Sequence, residues 1–175
     1  MKRGLLFLGL ILCLAAACQQ KTDKATNKET LLSEIAQLEK QLLKSGDASK
    51  EKEVALTLVG KCRDYAMAFP NDKASPDLLF KAGDVARGAK DYGKAVQMWG
   101  ELWRKYGDHS KAPMALFLQG FTFDSELQDA KMATKYYKDF LQAYPDDSLA
   151  IQVQQLLQVV EMSPTDLVKQ FENKQ

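Results

Sequence analysis

The sequence predicts an all-α protein, a solenoid of stacked helix hairpins with about eight helices in all. Two observations predict it. One helical hairpin is written twice, as SPDLLFKAGDVARGAKDYGKAVQMWGELWRKYG over Ser75–Gly107 and as APMALFLQGFTFDSELQDAKMATKYYKDFLQAYP over Ala112–Pro145. The copies keep register: Gly83 recurs as Gly120, 37 residues on, and Tyr106-Gly107 recurs as Tyr144-Pro145, 38 residues on. Phe69-Pro70, 37 residues before Tyr106-Gly107, closes an earlier unit in the same way. A period in this range with two helical patterns per unit marks a helical solenoid. Such folds usually bind other proteins and rarely catalyse.

The N-terminus reads as a leader. Lys2 and Arg3 precede an apolar run of 14 residues, Gly4 to Ala17, and Ala15-Ala16-Ala17 precede Cys18. The run is too short for a stable transmembrane helix, and its layout is that of a secretory signal peptide. It resembles a bacterial lipoprotein signal, in which the cysteine after a small-residue box is lipidated and becomes the mature N-terminus. That family's box prefers Leu three residues before the cysteine. Here Ala15 holds that place, with Leu14 one residue earlier, and Cys13 is a poor rival because bulky Leu12 precedes it. An ordinary cleaved signal peptide that happens to contain a cysteine is the other reading. The resemblance implies lipidation at Cys18 (palmitate among the acyl chains), with each buried CH₂ contributing about 0.8 kcal/mol to anchorage. Gln19, in place of the Asp that resembles an inner-membrane retention signal, points to the outer membrane. It does not set whether the protein faces the periplasm or the outside, and the periplasm is the expected side. Removing residues 1–17 takes two of the 24 basic residues and none of the 23 acidic ones, so the mature net charge is −1. The balanced charge gives no basic field for nucleic acid. Cys62 is left without a thiol partner and reads as a buried structural cysteine, with a reactive or intermolecular thiol as the other reading.

Residues 18–28 read as a flexible tether and residues 29–175 as the helical domain, with hairpins at 29–70, 75–107 and 112–145 and a cap at 147–173. In helix 1, about Glu29 to Lys44, Leu31, Ile35, Leu38 and Leu42 form one apolar stripe. The stripe fits packing on helix 2 or a short coiled coil between two chains. Helix 2 stops before Pro70, because a residue ahead of proline leaves the helical region. Ser75-Pro76 reads as the N-cap and first position of helix 3, which extends to about Gly88. Helix 4 starts at Asp91 or Tyr92 and ends near Tyr106-Gly107, with Arg104 and Lys105 where the dipole favours cations. Helix 5 starts near Ser110 to Pro113 and ends near Glu126, helix 6 covers about Asp129–Ala143, and helix 7 runs from near Ser148 to about Glu161. Ser163-Pro164-Thr165-Asp166 reads as the cap of a last helix ending near Asn173.

The spacing within each copy brings a family into view. The first copy places Leu79 and Gly83 on its first helix, then Ala95 and Trp99 on its second, with Gly107 after it. The second places Leu116 and Gly120, then Ala133 and Tyr137, then Pro145. This pattern resembles the tetratricopeptide repeat, whose small residues let paired backbones approach while an aromatic fills the space beside them. The resemblance implies a right-handed superhelix. Ala86 stands where the family prefers an aromatic, Gly107 where it prefers proline, and Gln119 at a usually apolar place. The period exceeds the common one, and with the Tyr-Pro endings it resembles the repeats of the periplasmic outer-membrane β-barrel assembly lipoprotein and of Tol–Pal-associated periplasmic proteins.

Little here supports catalysis. His109 is the single histidine and lies in a charged turn, where a solvated residue is expected. No cysteine–histidine set has metal-ligand spacing, no glycine-rich phosphate loop follows a strand, and no nucleophile–base arrangement is visible. The expectation is a non-enzyme without cofactor or metal. The resemblance places partner contacts on the concave face, at Asp77, Phe80, Asp84 and Arg87 in helix 3 and at Met114, Phe117, Phe121 and Asp124 in helix 5. Helix 5 is apolar nearly all round, so Phe117 and Phe121 fit either a groove for an extended or helical peptide or a core covered by neighbouring helices. Three functions remain open: a lipid-anchored envelope scaffold holding a protein partner, a Tol–Pal-like maintenance protein forming homo-oligomers through helix 1, and an accessory subunit of an outer-membrane assembly, secretion or gliding complex.

Overall fold

The computed structural model describes residues 27–44 and 48–162, which form seven α-helices and no strand. They are α1 (27–44), α2 (Ala48–Ala68), α3 (Ala74–Gly88), α4 (Tyr92–Lys105), α5 (Ala112–Ser125), α6 (Ala130–Ala143) and α7 (Ala150–Glu161). From α2 onward each helix packs on the next, giving the zigzag of a helical solenoid. The leader, Cys18, most of the expected tether and the expected eighth helix lie outside the described residues. α1 begins two residues before the expected start, at residue 27.

The turns between units repeat to the atom, and the sequence shows why. Asp72, His109 and Asp147 stand 37 and 38 residues apart. Each donates its backbone N–H to the carbonyl three residues back, at Phe69, Tyr106 and Tyr144. Each side chain then accepts from the N–H two residues on: Asp72 Oδ1 from Ala74 at 2.9 Å, His109 Nδ1 from Lys111 at 3.3 Å, and Asp147 Oδ1 from Leu149 at 2.9 Å. Side chains that bond their own backbone in this way fix a turn and start the next helix. This corrects two expectations. Ser75 is not the N-cap of α3: Asp72 takes the first free N–H, and the Ser75 hydroxyl donates to the Phe69 carbonyl at 2.6 Å instead. His109 is not merely solvated, since it plays the part that aspartate plays in the other two turns.

The closing tyrosines tie successive turns together. Tyr106 donates its hydroxyl to the Pro70 carbonyl at 2.8 Å, and Tyr144 donates to the Gly107 carbonyl at 2.9 Å. Within each unit the two helices are joined through a left-handed residue, Lys90 (φ 60°) and Gln128 (φ 53°). An aspartate N-cap follows, with Asp91 accepting from the Lys94 N–H and Asp129 from the Met132 N–H, both at 3.0 Å.

The core forms in two clusters. One gathers Ile35, Leu58, Cys62, Tyr65, Leu79, Ala82, Met98, Trp99 and Leu102, and the other gathers Leu116, Phe117, Ala133, Tyr137, Phe140 and Val153. Trp103, Leu118 and Tyr144 pack against both and join them. The α1 stripe is used within the chain: Ile35 is buried, and Leu31, Leu38 and Leu42 pack against the first cluster. Burial pushes the Cys62 thiol up to about 12, which makes it an inert core group.

Each repeat closes around its glycine. A Cβ on Gly83 would lie 2.2 Å from Trp99 Nε1, and one on Gly120 would lie 2.8 Å from two carbons of the Tyr137 ring. Leu79, Ala95, Trp99, Leu116, Ala133 and Tyr137 are all fully buried around these contacts. Only a residue without a side chain lets the aromatic of the return helix lie flat on the first helix.

Candidate protein-binding face

The first helices of successive units are α3, α5 and α7, and the expected partner positions lie on α3 and α5. In α3, Asp77 and Arg87 are exposed and Phe80 is half-buried. Lys111, just ahead of α5, closes this end: its Nζ lies 2.8 Å from Asp77 Oδ1 and 5.2 Å from the centre of the Phe80 ring. That bond holds the Asp77 carboxyl below the usual carboxylate range. Lys111 escaped the sequence reading because it lies in a turn, outside either helical stripe.

The other acids on this face are drawn toward the core. Asp84 is exposed as a residue, but desolvation of its carboxyl raises its pKa, against the opposing pull of the Trp99 indole N–H, Arg87 and Lys111. Trp99 Nε1 is itself buried without an acceptor in ordinary hydrogen-bond geometry. Asp124 Oδ2 accepts the Tyr137 hydroxyl at 3.1 Å, and burial together with that carboxylate raises the Tyr137 pKa. Asp84, Arg87 and Gly88 line an open cleft of about 450 Å³.

The aromatic positions divide. Phe117 is only 8% exposed and belongs to the second core cluster. Its ring stacks on Phe121 with 5.8 Å between centres, and Phe121 is half-buried. Met114 is exposed. The register also continues past the expected positions. Val153, fully buried, lies 37 residues after Leu116, so Ile151 takes the place of Met114 on the next unit, and Ile151 is 73% exposed. The 37-residue period could have found Ile151, had it been extended beyond Pro145. The accessible apolar groups on this face are therefore Phe80, Met114, Phe121 and Ile151. Among the described residues, no group of three or more His, Cys, Asp or Glu side chains has the arrangement to hold a metal ion. None of the described helices is long and apolar enough to cross a membrane.

Residues 77–109 and 114–147 match the profile of the tetratricopeptide repeat family. The match supports the family on the two units in which the glycine–aromatic packing is seen. Repeats of this family generally act as protein–protein interaction scaffolds and are generally not enzymes. No curated protein matches the chain.

Proposed function

We propose that this protein is a scaffold of the bacterial cell envelope, anchored by lipid at Cys18, that holds a protein partner on the α3–α5–α7 face. The observation that carries the reading is the row of accessible apolar side chains, Phe80, Met114, Phe121 and Ile151, on helices already stacked by their other sides. Accessible aromatics beside charged groups suit an apolar peptide segment, with the aromatics as anchors and the charges setting orientation. The anchor is supported by Lys2-Arg3, the apolar run and the small residues before Cys18. The outer membrane is the location that Gln19 favours, and the protein is proposed to face the periplasm. Oligomerisation through helix 1 draws less support, because Ile35 is buried and Leu31, Leu38 and Leu42 pack inside the chain.

Two experiments test the halves separately. Cys18→Ala should release the protein from membrane fractions and abolish acyl labelling, and unchanged labelling would overturn the anchor. Crosslinking in intact envelopes should recover a protein whose affinity falls about tenfold or more in Phe121→Ala, the loss expected of an anchoring aromatic. Unchanged affinity in that folded variant would remove the α3–α5–α7 face from the reading.

A further inference from the structure

We propose that α1 is an ionic strap over the α2–α3 groove, opening as a unit while the rest of the solenoid stays folded. α1 meets the body through three ion pairs spread along its length. Lys28 pairs with Asp72 in the turn before α3, Glu34 Oε2 lies 2.7 Å from Lys61 Nζ on α2, and Glu39 pairs with Lys81 on α3. Two of the three tie α1 to the facing helices α2 and α3, and the third ties its start to the turn between them.

Its apolar hold is thin by comparison. Ile35 is its one buried side chain, as Val153 is of α7 at the other end, whereas α3 and α5 each bury seven residues. Leu43 is 87% exposed, and near the end of α1 a cleft of about 410 Å³ opens between Leu42 and the ends of α2 and α3, at Ala55, Val85 and Ala89. Few buried contacts give a low local opening free energy. Exposed ion pairs are the part of a helix contact that salt weakens most. Cys62 lies beneath the strap, fully buried and close enough to Glu39 and Lys81 for both to act on its thiol. Strap opening would therefore expose a thiol that the folded chain conceals.

The test is the rate at which Cys62 is alkylated by iodoacetamide in the native full-length protein, read site by site by mass spectrometry. Iodoacetamide is uncharged, so salt acts on opening and not on encounter. Between about 20 mM and about 1 M NaCl the rate should rise roughly tenfold, the combined worth of three half-exposed pairs. Lys61→Glu with Lys81→Glu should reach the fast rate at low salt. Glu34→Lys with Lys61→Glu re-forms one pair with reversed sign and should label as slowly as the unaltered protein. Amide exchange should quicken in α1 and not in α5. A rate indifferent to salt and to these substitutions would overturn the strap, as would faster labelling that comes only with lost protection in α5. If the Lys61/Lys81 variant fails to fold, the salt series and the reversed pair decide alone.

Discussion

The two repeats, α3–α4 and α5–α6, solve one packing problem with different chemistry. In the first, the indole of Trp99 lies against Gly83 and its N–H faces Asp84 without an ordinary hydrogen bond. In the second, the smaller Tyr137 ring lies against Gly120 less closely, and its hydroxyl bonds to Asp124 at 3.1 Å. Phe80 and Phe117 hold equivalent positions 37 residues apart, yet Phe80 is half-buried and Phe117 is core. The repeat thus specifies the complement of sizes, a glycine under an aromatic. Burial and polar pairing are left to each unit's neighbours.

The largest test of this contrast is the phenylalanine pair. Phe117→Ala should cost about 3 kcal/mol of stability, the lower end for a core phenylalanine. Phe80→Ala should cost about 1 kcal/mol, since much of its ring is already in water. Urea melts of the two variants measure this, and equal losses would mean that register alone sets burial. The glycine pair comes next. Gly83→Ala brings a methyl to 2.2 Å from a buried indole and should cost about 2 kcal/mol after the helix-propensity gain. Gly120→Ala meets ring carbons at 2.8 Å and should cost under about 1 kcal/mol. If Gly120→Ala proved the costlier, the difference in closeness would carry no energetic weight.

Much of this was legible in the sequence because packing and period leave strong marks. Gly83, Gly120, Trp99 and Tyr137 could be aligned without coordinates, since only small and large residues alternate in that way on paired helices. Hydrogen bonds left fainter marks. Nothing in the string says that Asp124 turns toward Tyr137, or that Lys111 spans Asp77 and Phe80. Ser75-Pro76 carries the usual start of a helix, but Asp72, three residues earlier, satisfies the free N–H first. The tyrosine rungs were visible only as recurring endings. They give the third test: Tyr144→Phe should cost about 1 kcal/mol and Tyr106→Phe about half that, because the Tyr106 bond is exposed and the Tyr144 bond half-buried. Thermal melts giving no loss in either would make the rungs incidental to stacking.

The smallest expected effect is a gain, and it comes from comparing three turns instead of two repeats. Asp72 and Asp147 each accept a helix-start N–H through a carboxylate oxygen at 2.9 Å, while His109 does so through a ring nitrogen at 3.3 Å. A carboxylate is the stronger acceptor, and its negative charge lies favourably ahead of the N-terminus of α5. Lys111, whose N–H would be the donor, keeps its ammonium on Asp77, so the gain comes from the backbone bond and the helix end alone. His109→Asp should therefore stabilise the protein by about 0.5 kcal/mol near neutral pH. Thermal melts of the two proteins at about pH 7 read the difference. A loss of stability at neutral pH would show that the imidazole does more in this turn than accept one hydrogen bond, and that the three turns are not equivalent.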